Sequence, residues 1–426
     1  MLQSAHLRWL REELPGLVEQ GILDEATAER LRAHYGEVDS ARGRRLVVAL
    51  FGTLGALFVG GGFILLIAHN WDDLGRPART ALSFLPLVLS LALAAWVVAS
   101  KRGEGWQEAV GGLWTLSIGA SISLVAQTYH IPGDLPGFLR LWLLLALPIL
   151  YVLPTATGGL LYALGLFGWV VSAGRGDGPP LFWALLAAAG PFLAMRLRRQ
   201  PRTAGSEMLV WAFAATVACG VLPSLERLDD DLRGPLLATT CLALWAGGAI
   251  ADRERWERPL RLVGGCGLLG TLFVLSYADA WDDHLAPLRH QVEAAMGELV
   301  VAILLVAATA ALLALAWRRR GAELLPVAAA LPVVWLARLL AARSGEAVSA
   351  TVNLYLLALG AAMLAQGMRE ERLRRANLGA AVLGLLILLR FFDTDWGFLV
   401  RGLAFVAVGL GFLLVNLVML RRRQAP

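Results

Sequence analysis

The chain has 426 residues, of which 58% are hydrophobic and only 17% charged, against a charged share of ~25% in soluble domains; its mean hydropathy of +0.63 excludes a soluble globular protein. The net charge is +5, yet the basic residues sit in short clusters between apolar runs rather than on one continuous face, which excludes nucleic acid as a partner. Cys219, Cys241 and Cys266 fall in separate apolar runs without metal-site or thiol-switch spacing, and read as small packing residues.

The N-terminal stretch "MLQSAHLRWLREELPGLVEQG" is amphipathic and acidic, so it is no cleavable signal peptide, and the first span is expected to act as its own insertion signal. Residues 4–20 and 24–36 place Leu7, Leu10, Leu14, Leu17 and Leu31, Tyr35 at helical spacing, with Asp24 set to cap the second helix. A piece of roughly 40 residues buries little core alone. Residues 1–45 are therefore expected to form a cytoplasmic helical hairpin and basic linker. Residues 1–40 would pack on the membrane domain, on a second copy in a homo-oligomer, or on a cytoplasmic partner.

A bilayer core of ~30 Å takes about 20 apolar residues per helix. On that measure residues 46–426 form a transmembrane helical domain of fourteen segments, at 46–68, 80–99, 109–130, 138–153, 156–173, 180–197, 207–225, 234–251, 259–278, 297–317, 323–342, 349–367, 376–392 and 397–419. The fold class expected is an all-α polytopic integral membrane protein. With the N-terminus inside, the inner connections hold 23 basic residues and the outer ones seven, namely Arg76, Arg79, Arg175, Arg227, Arg233, Arg289 and Arg343. The bias of Lys and Arg toward the cytoplasm then sets both termini inside, in an inner (cytoplasmic) membrane. Asp72, Asp73, Asp134, Asp177, Glu226, Asp282, Asp283, Asp393 and Asp395 gather on the outer side with His69, His130, His284 and His290.

"WDDLGRPAR" from Trp71 and "WDDHLAPLR" from Trp281 share Trp, Asp, Asp, Pro and Arg in register. Their offset of 210 carries the first four spans onto the ninth to twelfth, with Gly55 on Gly265 and Gly60 on Gly270. A shift of eight spans keeps orientation, so a duplication, over about 46–200 and 256–420, would be of the parallel kind. The outward-hairpin motif Trp71, Asp72, Asp73 and its echo Trp281, Asp282, Asp283 also have a plain account: an interfacial aromatic, carboxylates in water, and a proline opening the next helix.

"EQGILDEATAERLRAHYG", the Gly-rich first span ending "IAHNWDDL", and "LVAQTYHIPGD" before "LWLLLALPILYVLP" together resemble the bacterial predicted membrane protein family called domain of unknown function 2157, over about residues 5–155. "NLYLLALG" and "RFFDTDWGFLVRGLAFVAVGLGFLLVN" resemble the tail of longer members. The resemblance implies a multi-pass bacterial inner-membrane protein; it brings no activity, substrate or cofactor.

Charged residues within spans mark functional sites by default. Arg140, Arg338, Arg390 and Arg401 qualify, all toward the outer interface, where Gln127, Tyr129 and His130 end the third span, and Glu298 and Asn353 begin the tenth and twelfth. His69 and Asn70 close the first span at similar depth. Read together they outline an outward-facing polar cavity, and arginine's planar fork suits phosphate or carboxylate. The plain account of the arginines is local pairing, Arg390 with Asp393 and Arg401 with Asp395, or snorkelling to phosphates. His284 and His290 lack the spacing of a metal pair, and no nucleophile, zinc or phosphate-loop motif occurs, so neither metal nor cofactor is expected. Gly60, Gly61 and Gly62 lie mid-span and, with Gly52 and Ala56, read as a helix-packing stripe.

The leading expectation is a transporter or flippase-like protein for an anionic lipid or lipid-linked molecule. The second is a sensor or scaffold, with an acidic outer face and a cytoplasmic helical module. A membrane-embedded transferase is the third, and the chain otherwise reads as no enzyme.

Overall fold

The computed structural model describes residues 13–35, 73–173, 179–201, 203–225, 228, 230–251, 254–278, 281, 296–341, 344–393 and 406. The chain forms two units, Met1–Arg79 and Thr80–Pro426.

In the first unit, a helix over residues 13–19 (α1) ends at Gly21, whose φ of +69° turns the chain, a conformation that glycine adopts without penalty. The Ile22 N–H then bonds back to the Leu17 carbonyl at 3.0 Å. The second helix begins where expected: the Asp24 carbonyl accepts from the Thr27 and Ala28 N–H groups, and α2 runs over Glu25–Tyr35. Leu14 and Ala28 are buried, as the helical spacing of the apolar residues requires.

Among its described residues the second unit consists of helices joined by turns, with no strand. Its helices are α3 (Arg76–Ala99, begun in the first unit), α4 (Glu104–Tyr129), α5 (Leu135–Val152), α6 (Ala156–Ala173), α7 (Pro179–Arg199), α8 (Ala204–Gly220), α9 (Asp230–Ile250), α10 (Glu254–Leu275), α11 (Met296–Arg320), α12 (Leu325–Ala328), α13 (Ala330–Ala341), α14 (Gly345–Arg369) and α15 (Leu373–Asp393). Among the described residues eight stretches are long and apolar enough to cross a bilayer. Their outward surfaces carry side chains such as Leu164, Leu339 and Leu354, each about two-thirds exposed or more. Such a surface is a liability in water and a matching one in lipid. The first and fourteenth expected spans lie outside the described residues.

Side-chain bonds join the helix ends in two sets. At one end, Arg196 at the close of α7 reaches Glu104 and Glu108 at the start of α4. Arg320 closing α11 pairs with Glu257 opening α10, and Arg375 on α15 pairs with Glu323 after α11. At the other end, Thr80 meets Tyr129, Trp183 meets Ser224, and Glu298 accepts from the Leu228 N–H. Connections that the alternation of basic clusters assigns to one side thus neighbour one another, and so do those assigned to the other.

The expected eleventh span is a broken helix: a 3-10 turn over Gly321–Leu324, then α12, then α13 after Ala329. Where a helix breaks inside a bundle its freed carbonyls need new donors. The Tyr355 hydroxyl of α14 supplies one, donating to the Pro326 carbonyl at 2.8 Å.

Small residues set the closest crossings. A Cβ built on Gly379 of α15 would lie 2.5 Å from the Leu364 nitrogen and 2.7 Å from the Gly360 carbonyl, and one on Gly264 of α10 would lie 2.5 Å from the Cys241 carbonyl. The α14–α15 and α9–α10 pairs therefore meet backbone to backbone, as small-residue contacts in membranes permit. Buried Cys241 serves this packing, whereas Cys219 and Cys266 are exposed.

Candidate functional site

The C-terminus of α4 is shaped by its cap. His130 adopts φ +52°, and its N–H and that of Ile131 bond back to carbonyls of the last turn. The chain then restarts at Asp134, whose side chain accepts from the Gly137 N–H at 2.9 Å and caps α5. Gln127, Tyr129 and His130 are thereby held exposed at one end of the α3–α4–α5 group, and Arg140 is exposed in the second turn of α5. The Tyr129 hydroxyl is 2.9 Å from the Thr80 hydroxyl on α3.

Beneath this polar end lies an apolar cleft of about 430 Å³, lined by Phe84 and Leu87 of α3, Ile122 and Val125 of α4, and Ile131, Leu141 and Leu145. Ser121 also lines it, and its hydroxyl is buried with no hydrogen-bond partner. Deeper in the group, Ser90 bonds to Ser117 at 2.7 Å, and the Trp142 indole donates to the Thr115 carbonyl at 2.8 Å. These bonds fix the three helices against one another. The cleft wall is apolar apart from Ser121.

The remaining arginines stand elsewhere. The helix of Arg140 packs on α4, α6 and α7, whereas Arg338 on α13 and Arg390 on α15 belong to helices that pack on α14. Arg390 is half-buried at the C-terminus of α10. Its Nε–H donates to Asn353 Oδ1 at 3.1 Å, one terminal nitrogen donates to the Ser276 hydroxyl at 2.8 Å and to the Ser276 carbonyl, and the guanidinium lies 4.3 Å from the centre of the Tyr277 ring. The same Ser276 carbonyl accepts from the Ser349 hydroxyl at 2.6 Å and from Asn353 Nδ2 at 3.1 Å. A cation and two neutral donors thus satisfy a helix C-terminus, where the orphan carbonyls carry partial negative charge.

Trp281 shares that task. It is buried, and its indole N–H donates to the Leu275 carbonyl at 2.9 Å. Asp73 is exposed. His69, Asn70, Trp71, Asp72, Asp282, Asp283 and Arg401 lie outside the described residues, as do His284, His290 and the side chain of Asp393.

The opposite end holds a network that the sequence reading passed over as ordinary basic connections. Arg196 is 4% exposed; it donates to the Pro154 carbonyl at 2.9 Å, to Glu104 at 3.2 Å and to Glu108 at 2.7 Å. Glu108 in turn accepts the Ala156 and Thr157 N–H groups at 2.9 and 2.8 Å, so one carboxylate neutralises a buried arginine and caps the N-terminus of α6. The available signal was Glu104 and Glu108, four residues apart on one helix face, on the side otherwise dominated by arginine.

Comparison with known proteins finds a match in the N-terminal region. Residues 15–159 match the family model of a predicted membrane protein, domain of unknown function 2157. The resemblance read from residues 5–155 is met over nearly the same stretch, and the matched region takes in α3, α4 and α5 with their cleft. Among curated proteins and among solved structures, no match to the chain was found. The family description and the apolar helices agree on a multi-pass membrane protein.

Proposed function

We propose that this membrane protein binds an anionic amphipathic molecule in the α3–α4–α5 cleft and moves it across the bilayer. The observation that carries the reading is the join of the two chemistries in one place. An apolar cleft of about 430 Å³ lies under an end bearing Tyr129, His130 and Arg140. The cleft would bury hydrocarbon at ~25 cal/mol per Å², and Arg140 would take the headgroup through charge-assisted bonds. On this reading the Arg140 end faces outward and the end bearing Lys101, Arg199 and Arg375 faces the cytoplasm of a bacterial inner membrane, because basic residues remain on the cytoplasmic side.

Arg390 plays no part in binding on this reading, since a guanidinium committed to the α10 terminus is a structural cation. The test is native mass spectrometry of the full-length protein released from micelles that contain phosphatidylglycerol or phosphatidylcholine. The parent is expected to retain phosphatidylglycerol preferentially. Arg140→Ala should abolish the preference, and Ile122→Trp, which fills the cleft, should abolish retention. Equal retention by the parent and both variants would sink the proposal.

A further inference from the structure

A second cavity, of about 360 Å³, opens at the other end of the same helices, between the close of α3, the α5–α6 connection and the close of α7. Lys101, Arg196, Arg199, Gln107 and Gln200 line it above an apolar floor that includes Val152. We propose that it binds a phosphate group, carried by a lipid headgroup or free in solution.

The wall is incompletely satisfied. Arg196 Nε is a buried donor without a hydrogen-bond partner, which an anion completes, whereas the buried Gln200 Oε1 is an acceptor without one, which a water or the hydroxyl of a protonated phosphate completes. Glu104 and Glu108 engage Arg196. Lys101 and Arg199 are exposed and have no ion-pair partner among the described residues. The cavity therefore presents two uncommitted cations beside a preformed arginine, and a phosphate would accept from all three side chains.

Lys101 is the only lysine in the chain, and it sits at the αL position that ends α3, with φ +47°. That position favours glycine, which takes it without a Cβ penalty. A lysine there carries a backbone penalty that glycine would not. This separates binding from folding in a test: Lys101→Gly removes the charge while relieving the backbone.

The site is independent of the cleft proposed for transport. The experiment therefore uses full-length protein carrying Ile122→Trp, which closes that cleft. Thermal unfolding and titration would be followed with inorganic phosphate, with phosphatidylglycerol micelles and with phosphatidylcholine micelles. Lys101→Gly combined with Arg199→Ala is expected to unfold at or above the temperature of the Ile122→Trp protein. It should bind roughly tenfold or more weakly, since two charge-assisted contacts are lost. Arg318→Ala, an exposed arginine outside the cavity, should leave binding unchanged.

Binding of inorganic phosphate that depends on Lys101 and Arg199 identifies a soluble anion. Dependence seen only with phosphatidylglycerol identifies a headgroup. Binding of none of the three probes, or binding that Lys101→Gly with Arg199→Ala leaves intact, overturns the proposal.

Discussion

Replacing Arg390 with methionine, which keeps the length of the side chain and deletes its fork, tests whether the α10 terminus is held by that cation. The substitution removes the 3.1 Å bond to Asn353 Oδ1, the 2.8 Å bond to the Ser276 hydroxyl and the contact 4.3 Å from the Tyr277 ring centre. The Ser276 carbonyl is not orphaned, because Ser349 and Asn353 still donate to it. A charge-assisted bond nets ~1.5–3 kcal/mol and a ring contact ~0.5–2 kcal/mol, while desolvation of the guanidinium is given back on its removal. For a half-buried group these terms leave a net loss of ~2–3 kcal/mol. Arg390→Lys should lose about half of that, since an ammonium cannot span both acceptors. The assay is reversible unfolding of the full-length protein in mixed micelles, followed by tryptophan fluorescence. A double-mutant cycle with Asn353→Leu should show a coupling of ~1 kcal/mol between the two side chains. An Arg390→Met protein within ~0.5 kcal/mol of the parent, the range of surface substitutions away from such features, would refute the capping role and free Arg390 for a role in binding.

Two further substitutions probe the frame. Glu108→Gln keeps an acceptor for the α6 N-terminus but leaves Arg196, whose side chain is 5% exposed, with Glu104 at 3.2 Å, itself 48% exposed, as its one carboxylate partner among the described residues. Stability should fall by ~2–4 kcal/mol, and adding Arg196→Met should restore part of the loss, because removing both charges is cheaper than stranding one; unfolding titrations measure both. Gly379→Leu places side-chain atoms against the Leu364 nitrogen and the Gly360 carbonyl, backbone atoms that cannot rotate away. It should cost ~3 kcal/mol or more, whereas a leucine at Gly190, where nothing stands within 4 Å, should leave the unfolding curve in place.

The membrane helices were legible because they rest on composition. Some 20 apolar residues per crossing and clustered arginines are strong signals over a long chain, and helix-end pairs such as Arg320 with Glu257 join connections that those clusters assign to one side. The helix start at Asp24 was readable because it follows a local rule, whereas the expected packing stripe of Gly52, Ala56 and Gly60 to Gly62 lies outside the described residues. What the sequence could not convey was partnership across distance. Arg390 pointed along the sequence to Asp393, whose side chain lies outside the described residues; its bonds to Ser276, 114 residues away, had no local signal. Trp281 looked like an outward motif repeated from Trp71, yet its indole is turned inward onto the Leu275 carbonyl. The broken eleventh span was hidden as well, because Pro326 and Pro332 fit inside an apolar run that reads as continuous. The α3–α4–α5 cleft was not visible, because none of Gln127, Tyr129, His130 and Arg140 lines it and which apolar residues face one another depends on helix rotation.

The most direct test is transbilayer movement itself. Full-length protein reconstituted into vesicles with a fluorescent phosphatidylglycerol analogue should raise the rate at which label becomes accessible to an external quencher above that of protein-free vesicles. Arg140→Ala and Ile122→Trp should each return that rate toward the protein-free level, and a phosphatidylcholine analogue should move no faster than without protein. A rate equal to that of empty vesicles, or one unaffected by either substitution, would contradict the account.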